Sequence, residues 1–328
     1  MANFMLTTAC NFKCPYCFAL DLVGKGHGRT DMTAELFEEL VDWVGRADPP
    51  SRIHLMGGEP TVNERMPSML RLLADRGMEC HVFSNAARPL GEELLEAARA
   101  AGAWWIVNIN VEGFYRGRQL ERLHENLSRL GGSASLTFNL TPETEGYDFV
   151  PGLVDRFGLK RVVKLGFTLP TLSHVNRHVL LDEYRVVGAK AVALVRAFAD
   201  RDIHVDFECG APHCMFGAEE LEEIRGHVGF GTLGRCHSRL DVSPEGKVFY
   251  CLPLYRHGAI DFREFEDYGA AVRWFHSQLL PFQAFGVRAE CRSCGHHADG
   301  SCSGGCLAES LLGIKGVKPL TGPDSGAS

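Results

Sequence analysis

Residues 104–110 read "WWIVNIN", and the alternation inside that run decides the fold. Successive side chains of a strand point to opposite faces. Trp105, Val107, Ile109 and Val111 therefore share one side, and Asn108, Asn110 and Glu112 share the other. The division recurs at 135–140, "SLTFNL", where Leu136, Phe138 and Leu140 oppose Thr137, Asn139 and, just beyond, Thr141. It recurs again at 161–167, "RVVKLGF", where Val163, Leu165 and Phe167 oppose Lys164, Gly166 and Thr168. A filled barrel interior is built from branched apolar side chains. Polar rows on a shared face predict instead a curved sheet around a lumen that receives polar ligands.

Three further β-rich runs precede these, "FMLTT", "RIHLMGG" and "CHVFSN", and amphipathic stretches separate all six. Leu36, Phe37, Leu40, Val41 and Val44 recur at helical spacing in the first stretch, and Leu120, Leu123, Leu127 and Leu130 in a later one. Alternating strands and helices with right-handed crossovers predict an α/β fold: a partial (β/α)6 TIM-like barrel, missing two of the usual eight repeats. The barrel is expected over residues 1–205. A small cysteine-rich domain is expected over 206–312, and a flexible Gly/Pro/Ser-rich tail over 313–328.

The chain of 328 residues has twelve cysteines and a net charge of −7. The N-terminus lacks a basic stretch followed by an apolar run, and no run of roughly 18 apolar residues occurs, so neither export nor a membrane partner is expected. The chain is read as cytoplasmic, where clustered cysteines point to metal-ligating thiolates rather than disulfides. The acidic balance disfavours a nucleic-acid partner.

Residues 8–18, "TACNFKCPYCF", place Cys10, Cys14 and Cys17 on one short loop after the first strand. Three thiolates can take three corners of a metal site and leave the fourth open to a ligand that does chemistry. A closed zinc site completed by His27 or a distant cysteine is the alternative. At the end of the second strand stands "MGGEPT", 56–61. There Gly57 and Gly58 permit a turn with close ligand approach, and the acceptor-only carboxylate of Glu59 suits an ammonium group.

The Cys-x3-Cys-x2-Cys loop, with Tyr16 before its last cysteine and "GGEP" at the second strand, resembles the signature of radical S-adenosylmethionine (radical SAM) enzymes. The resemblance implies a 4Fe-4S cluster on Cys10, Cys14 and Cys17 whose fourth iron is chelated by S-adenosylmethionine. It also implies reductive cleavage of the sulfonium to a 5′-deoxyadenosyl radical that takes a hydrogen atom from substrate. Cofactor contacts are then expected from Gly57, Gly58, Glu59, Ser84, Asn85, Asn108 and Asn110. Substrate contacts are expected from Asn139, Lys164, Glu112 and His54 in the lumen.

The region beyond residue 205 holds eight of the twelve cysteines. "CHSRLDVSPEGKVFYC", 236–251, reads as a hairpin with "SPEG" at its turn, which brings Cys236 and Cys251 together. Cys291, Cys294, Cys302 and Cys306 follow. Structural zinc is one reading of such thiols. The arrangement also resembles the SPASM/twitch auxiliary-cluster domains of radical SAM enzymes, although seven residues separate Cys294 from Cys302 where five are usual, and the family's last cysteine has no counterpart. The resemblance implies one or two auxiliary 4Fe-4S clusters. Cys236, Cys251 and Cys306 are expected to serve one, with Cys214. Cys291, Cys294 and Cys302 are expected to hold a second through three thiolates, with His296 or His297 as a further ligand or supporting group. A single auxiliary cluster on Cys236, Cys251, Cys291 and Cys294 competes with this. Cys80 and Cys209 read as buried thiols.

The expected function is radical SAM modification of a ribosomal peptide or natural-product intermediate by crosslinking, epimerisation or oxidation. Its partners would be a peptide or small-molecule substrate and an electron donor such as flavodoxin or ferredoxin. No leader-binding domain is expected ahead of the first strand. Oxidation or epimerisation of a sugar or aminocyclitol is the alternative, and a non-catalytic zinc or iron-sulfur module is a reading from another class.

Overall fold

The structure, a computed structural model, describes residues 1–23, 28–47, 52–173, 175–228, 233–236 and 239–323. His27 lies outside the described residues. The six expected strands form as β1 (Ala2–Met5), β2 (Arg52–Met56), β3 (Glu79–Ser84), β4 (Trp104–Asn108), β5 (Ala134–Leu140) and β6 (Val162–Phe167), each parallel to the next. Parallel neighbours need long crossovers. These are α1 (Ala34–Gly45), α2 (Met66–Asp75), α3 (Glu92–Ala100), α4 (Gln119–Leu130) and α5 (Val150–Phe157). Trp105, Val107, Leu136, Phe138, Val163 and Leu165 are buried on the helix-facing side of the sheet, as the alternation requires.

The periodic residues of α1 also behave as expected. The Thr33 side chain accepts the Leu36 N–H to start the helix, and Phe37, Leu40, Val41 and Val44 are fully buried.

The fourth strand is shorter than its sequence pattern. β4 ends at Asn108, because the Asn110 N–H turns away to the Tyr115 hydroxyl (2.9 Å) instead of continuing the ladder. Glu112 consequently opens a short 3-10 turn and is exposed, which removes it from the lumen.

A seventh parallel strand was not anticipated. After α6 (Tyr184–Ala199), β7 (His204–Phe207) pairs with β6, so the boundary drawn at residue 205 falls inside a strand. After α7 (Ala218–Arg225) come β8 (Asp241–Val242), β9 (Lys247–Phe249) and β10 (Ile260–Asp261). The β8–β9 hairpin closes through the Gly246 N–H to the Ser243 carbonyl, with Gly246 at φ 81°. β8 then lies parallel to β1, Asn3 opposite Asp241 and Phe4 opposite Val242. One ten-stranded sheet results, in the order β10-β9-β8-β1-β2-β3-β4-β5-β6-β7.

The core is continuous as well. Trp43 of α1 packs edge-on against Phe262 and against Tyr268 of α8 (Tyr268–Leu279), and its indole N–H donates to the Phe265 carbonyl. Truncating so large a buried ring costs about 3–5 kcal/mol. Two short helices, α9 (Gly295–Ala298) and α10 (Leu307–Leu312), follow directly on Cys294 and Cys306, their N-cap residues. Beyond them the chain docks, because the Leu320 N–H donates to the His257 carbonyl (2.5 Å) and Leu320 packs on the core. None of the described helices is long and apolar enough to cross a membrane.

Candidate active site

The cysteine loop leaves the end of β1 and is held there by backbone. Gly58 donates its N–H to the Thr7 carbonyl (2.9 Å), and Glu59 donates to the Ala9 carbonyl (2.8 Å). A Cβ on Gly57 would stand 2.6 Å from the Thr7 oxygen, and one on Gly58 would stand 2.2 Å from the Ala9 oxygen. The glycines are thus demanded by the close approach of the cysteine loop, whereas the sequence suggested approach of a ligand. Gly57 also adopts φ 150°.

Glu59 is likewise a strut. Its Oε1 accepts from the Thr61 N–H (3.2 Å), the Thr61 hydroxyl (2.7 Å) and the Ser84 hydroxyl (2.8 Å), and its Oε2 accepts from the Asn85 N–H (2.8 Å). A carboxylate offers about four acceptor positions. Three donors crowd Oε1 and one reaches Oε2, so the group expected to receive an ammonium is also bound within the chain. Burial pushes its carboxyl upward and these hydrogen bonds pull the other way.

From that strut the support reaches the thiols. The Asn85 Nδ2 donates to Asn11 Oδ1 (2.8 Å), the Tyr16 hydroxyl donates to Asn110 Oδ1, and the Arg177 N–H donates to the Pro15 carbonyl (2.8 Å). Burial pushes the Cys10 thiol up to about 12, with Glu59 and the two other thiols adding to it, and pushes Cys14 to about 11. Binding to a cationic centre reverses that preference, since a metal deprotonates its thiol ligands. Three free thiols on one braced loop, all within electrostatic reach of Cys10, are the donor set a three-cornered 4Fe-4S attachment requires.

The Tyr16–Asn110 bond joins this loop to the inner polar face of the sheet. Strand register places Asn108 opposite Thr137, Thr137 opposite Lys164, and Lys164 opposite Asp206. One level nearer the cysteines, Asn139 lies opposite Gly166. A Cβ on Gly166 would meet Asn139 Oδ1 at 2.3 Å and Glu208 Oε2 at 3.6 Å, so those two side chains converge over the glycine. Asn108 Oδ1, Asn110 Nδ2 and Glu208 Oε1 are buried with no hydrogen-bond partner among the described residues. Buried polar atoms left open in this way suit a polar ligand.

Glu208 was missed from the sequence, although "VDFE" alternates and puts Asp206 and Glu208 on the polar face. Burial raises its carboxyl, against the pull of Lys164. His54 was selected but belongs to the floor. It stacks on His81 at 4.9 Å in a row running Asn3, His54, His81, Trp104, and burial lowers its imidazole to about 2.

Among the later thiols, Cys236, Cys251 and Cys306 neighbour one another. Cys251 interacts electrostatically with Cys306, Cys236 and Cys209. The turn that carries Cys214 packs toward α9, with the His213 ring edge-on to His296 at 4.6 Å. The His297 nitrogens both face backbone carbonyls, of Cys291 and Gln283 (3.0 Å each), which makes His297 a brace for the loop and not a free ligand. Cys80 is buried in β3, whereas Cys209, read with it as a buried thiol, is exposed because it sits in the turn after β7. Among the described residues no group of three His, Cys, Asp or Glu side chains is gathered at single-metal spacing.

Residues 4–132, which include the three-cysteine loop and its bracing glycines, match the Radical SAM superfamily, whose members are enzymes. Such enzymes use S-adenosylmethionine for radical chemistry. The chain is 26% identical over 348 residues to the PqqA peptide cyclase of Methylobacterium nodulans, spanning 97% of this chain and 83% of the relative. It is 24% identical over 285 residues to GTP 3′,8-cyclase 2 of Pseudomonas aeruginosa, spanning 79% and 80%. The fold is that of Streptococcus suis SuiB bound to S-adenosylmethionine, with TM-score 0.67 at 14% identity, over 97% of this chain and 74% of that one. SuiB has also been solved bound to its precursor peptide SuiA, and that structure matches with TM-score 0.64 at 14% identity, over 99% of this chain and 74% of that one.

Proposed function

We propose that this enzyme cleaves S-adenosylmethionine reductively and directs hydrogen-atom abstraction at a peptide, leaving a crosslink, an epimerised centre or an oxidised side chain. The braced cysteine loop carries the radical part of the reading. The similarity to PqqA peptide cyclase along nearly the whole chain supports the peptide part.

Cys10, Cys14 and Cys17 would hold the 4Fe-4S cluster, with Asn108 and Asn110 presenting their open polar atoms to the cofactor. Cluster and cofactor together supply the electron that breaks the sulfonium and the radical that takes the hydrogen atom. The chain's own residues position the reactants and exclude water. Asn139 and Glu208 would hold substrate at the open end of the lumen, with Lys164 one level deeper. The thiols of residues 206–312 would carry auxiliary 4Fe-4S clusters, and a flavodoxin or ferredoxin would deliver electrons. Twelve free thiols suit a reducing cytoplasm.

Anaerobic reconstitution with dithionite and S-adenosylmethionine tests the reading. The wild-type chain should release 5′-deoxyadenosine and Cys14→Ala should not. A precursor peptide from a neighbouring gene should lose a hydrogen pair or take up solvent deuterium. The polar row Asn108, Thr137, Lys164 favours a second reading, a sugar or aminocyclitol substrate. Turnover of such compounds with no peptide product would decide for it.

A further inference from the structure

Gly166 lies inside β6 in backbone that any residue can adopt, so its missing side chain serves space and not a turn. The space is used by its neighbours. A Cβ at Gly166 would stand 2.3 Å from Asn139 Oδ1 on β5 and 3.6 Å from Glu208 Oε2, just past the end of β7. Two acceptor oxygens from the flanking strands therefore meet over the one inward position of β6 that carries no side chain.

No donor answers them. Glu208 Oε1 is buried without a hydrogen-bond partner, and neither Glu208 nor Lys164 forms an ion pair among the described residues. Burial raises the Glu208 carboxyl, while Lys164 and Thr137 pull it the other way. Lys164 lies two residues before Gly166, one level deeper, opposite Asp206. A cation that enters the lumen is thus attracted at Glu208 and repelled beyond it. A buried carboxylate gains most from a partner that brings both charge and hydrogen bonds. An ammonium offers three donors to two converging acceptors, where a hydroxyl offers one.

We propose that Glu208 and Asn139 form an ammonium-accepting subsite, and that the substrate group taken into the lumen carries a protonated amine. The proposal rests on the substrate reading given above and narrows it. A lysyl side chain of the peptide supplies the amine, and the like charge of Lys164 stops it at the level of Glu208. An aminocyclitol would present the same chemistry from a different source.

Calorimetric titration of the full, anaerobically reconstituted chain with S-adenosylmethionine present tests this. The probes are N-acetyl-lysine methylamide, its norleucine counterpart and an aminocyclitol. Wild type should bind the lysine amide at least about tenfold more tightly than the norleucine amide, the effect of one charge-assisted interaction. Glu208→Gln should reduce that preference to within about twofold. Gly166→Ala, which displaces the Asn139 amide, should weaken the lysine amide and not the norleucine amide, and it carries the comparison if Glu208→Gln does not fold. A wild-type chain that does not distinguish the two amides overturns the subsite. So does a preference that survives Glu208→Gln in a chain of native circular dichroism. Tighter binding of the aminocyclitol, lost in Glu208→Gln, keeps the subsite and overturns the lysyl source. Release of 5′-deoxyadenosine is measured on the same samples: its absence from wild type overturns the radical reading, on which the binding comparison does not depend.

Discussion

The Glu59 carboxylate accepts the Asn85 backbone N–H at 2.8 Å, which ties the end of β2 to the end of β3 directly behind the cysteine loop. Glu59→Gln leaves one oxygen and turns an NH2 toward at least one of four donors. Loss of a charge-assisted bond with a buried donor left unpaired costs about 1.5–3 kcal/mol. We expect a lower denaturation midpoint together with weaker S-adenosylmethionine binding. A chain of unchanged stability that loses only cofactor affinity would return Glu59 to the role of direct ligand.

Gly58→Ala tests the backbone contact. The added Cβ meets the Ala9 carbonyl oxygen, which cannot move without moving Cys10. Circular dichroism should stay native while reconstituted iron falls by about four per chain. Full iron loading would mean that the loop tolerates displacement.

Asn139→Leu removes a lumen amide that converges with Glu208 over Gly166. Turnover should fall at least tenfold, about 1.4 kcal/mol in the barrier, with S-adenosylmethionine affinity within twofold of wild type. Equal loss of both would place Asn139 against the cofactor.

Asp241 provides a pH test. It is buried beside β1, accepts from Asn3 Nδ2 (2.6 Å), and burial raises its carboxyl to about 7. An unfolded aspartate titrates near about 3.9. Between those values the folded chain keeps a proton that the unfolded chain has released. This contribution to stability is therefore full below about pH 4 and is lost as pH rises through about 7, an effect on the order of 4 kcal/mol. Asp241→Asn should flatten that slope in urea denaturation between pH 4.5 and 7.5. An unchanged slope would assign it to other groups.

The sequence by itself determined the six parallel strands, their polar inner rows and the cysteine loop, because a two-residue alternation and a three-thiol spacing are properties of local chain geometry. It did not contain the partners of those elements. β7 alternates only over "VDFE" and is made a strand by its pairing with β6. The end of β4 depends on a tyrosine hydroxyl that captures one N–H. The glycines of "GGEP" advertise close approach, but only the packed structure says that the approaching group is the Thr7–Ala9 backbone. The placement of the later thiols is likewise tertiary. Cys209 and Cys214 are five residues apart, and backbone contact between Gly210 and Arg235 holds the first turn while the His213–His296 packing holds the second.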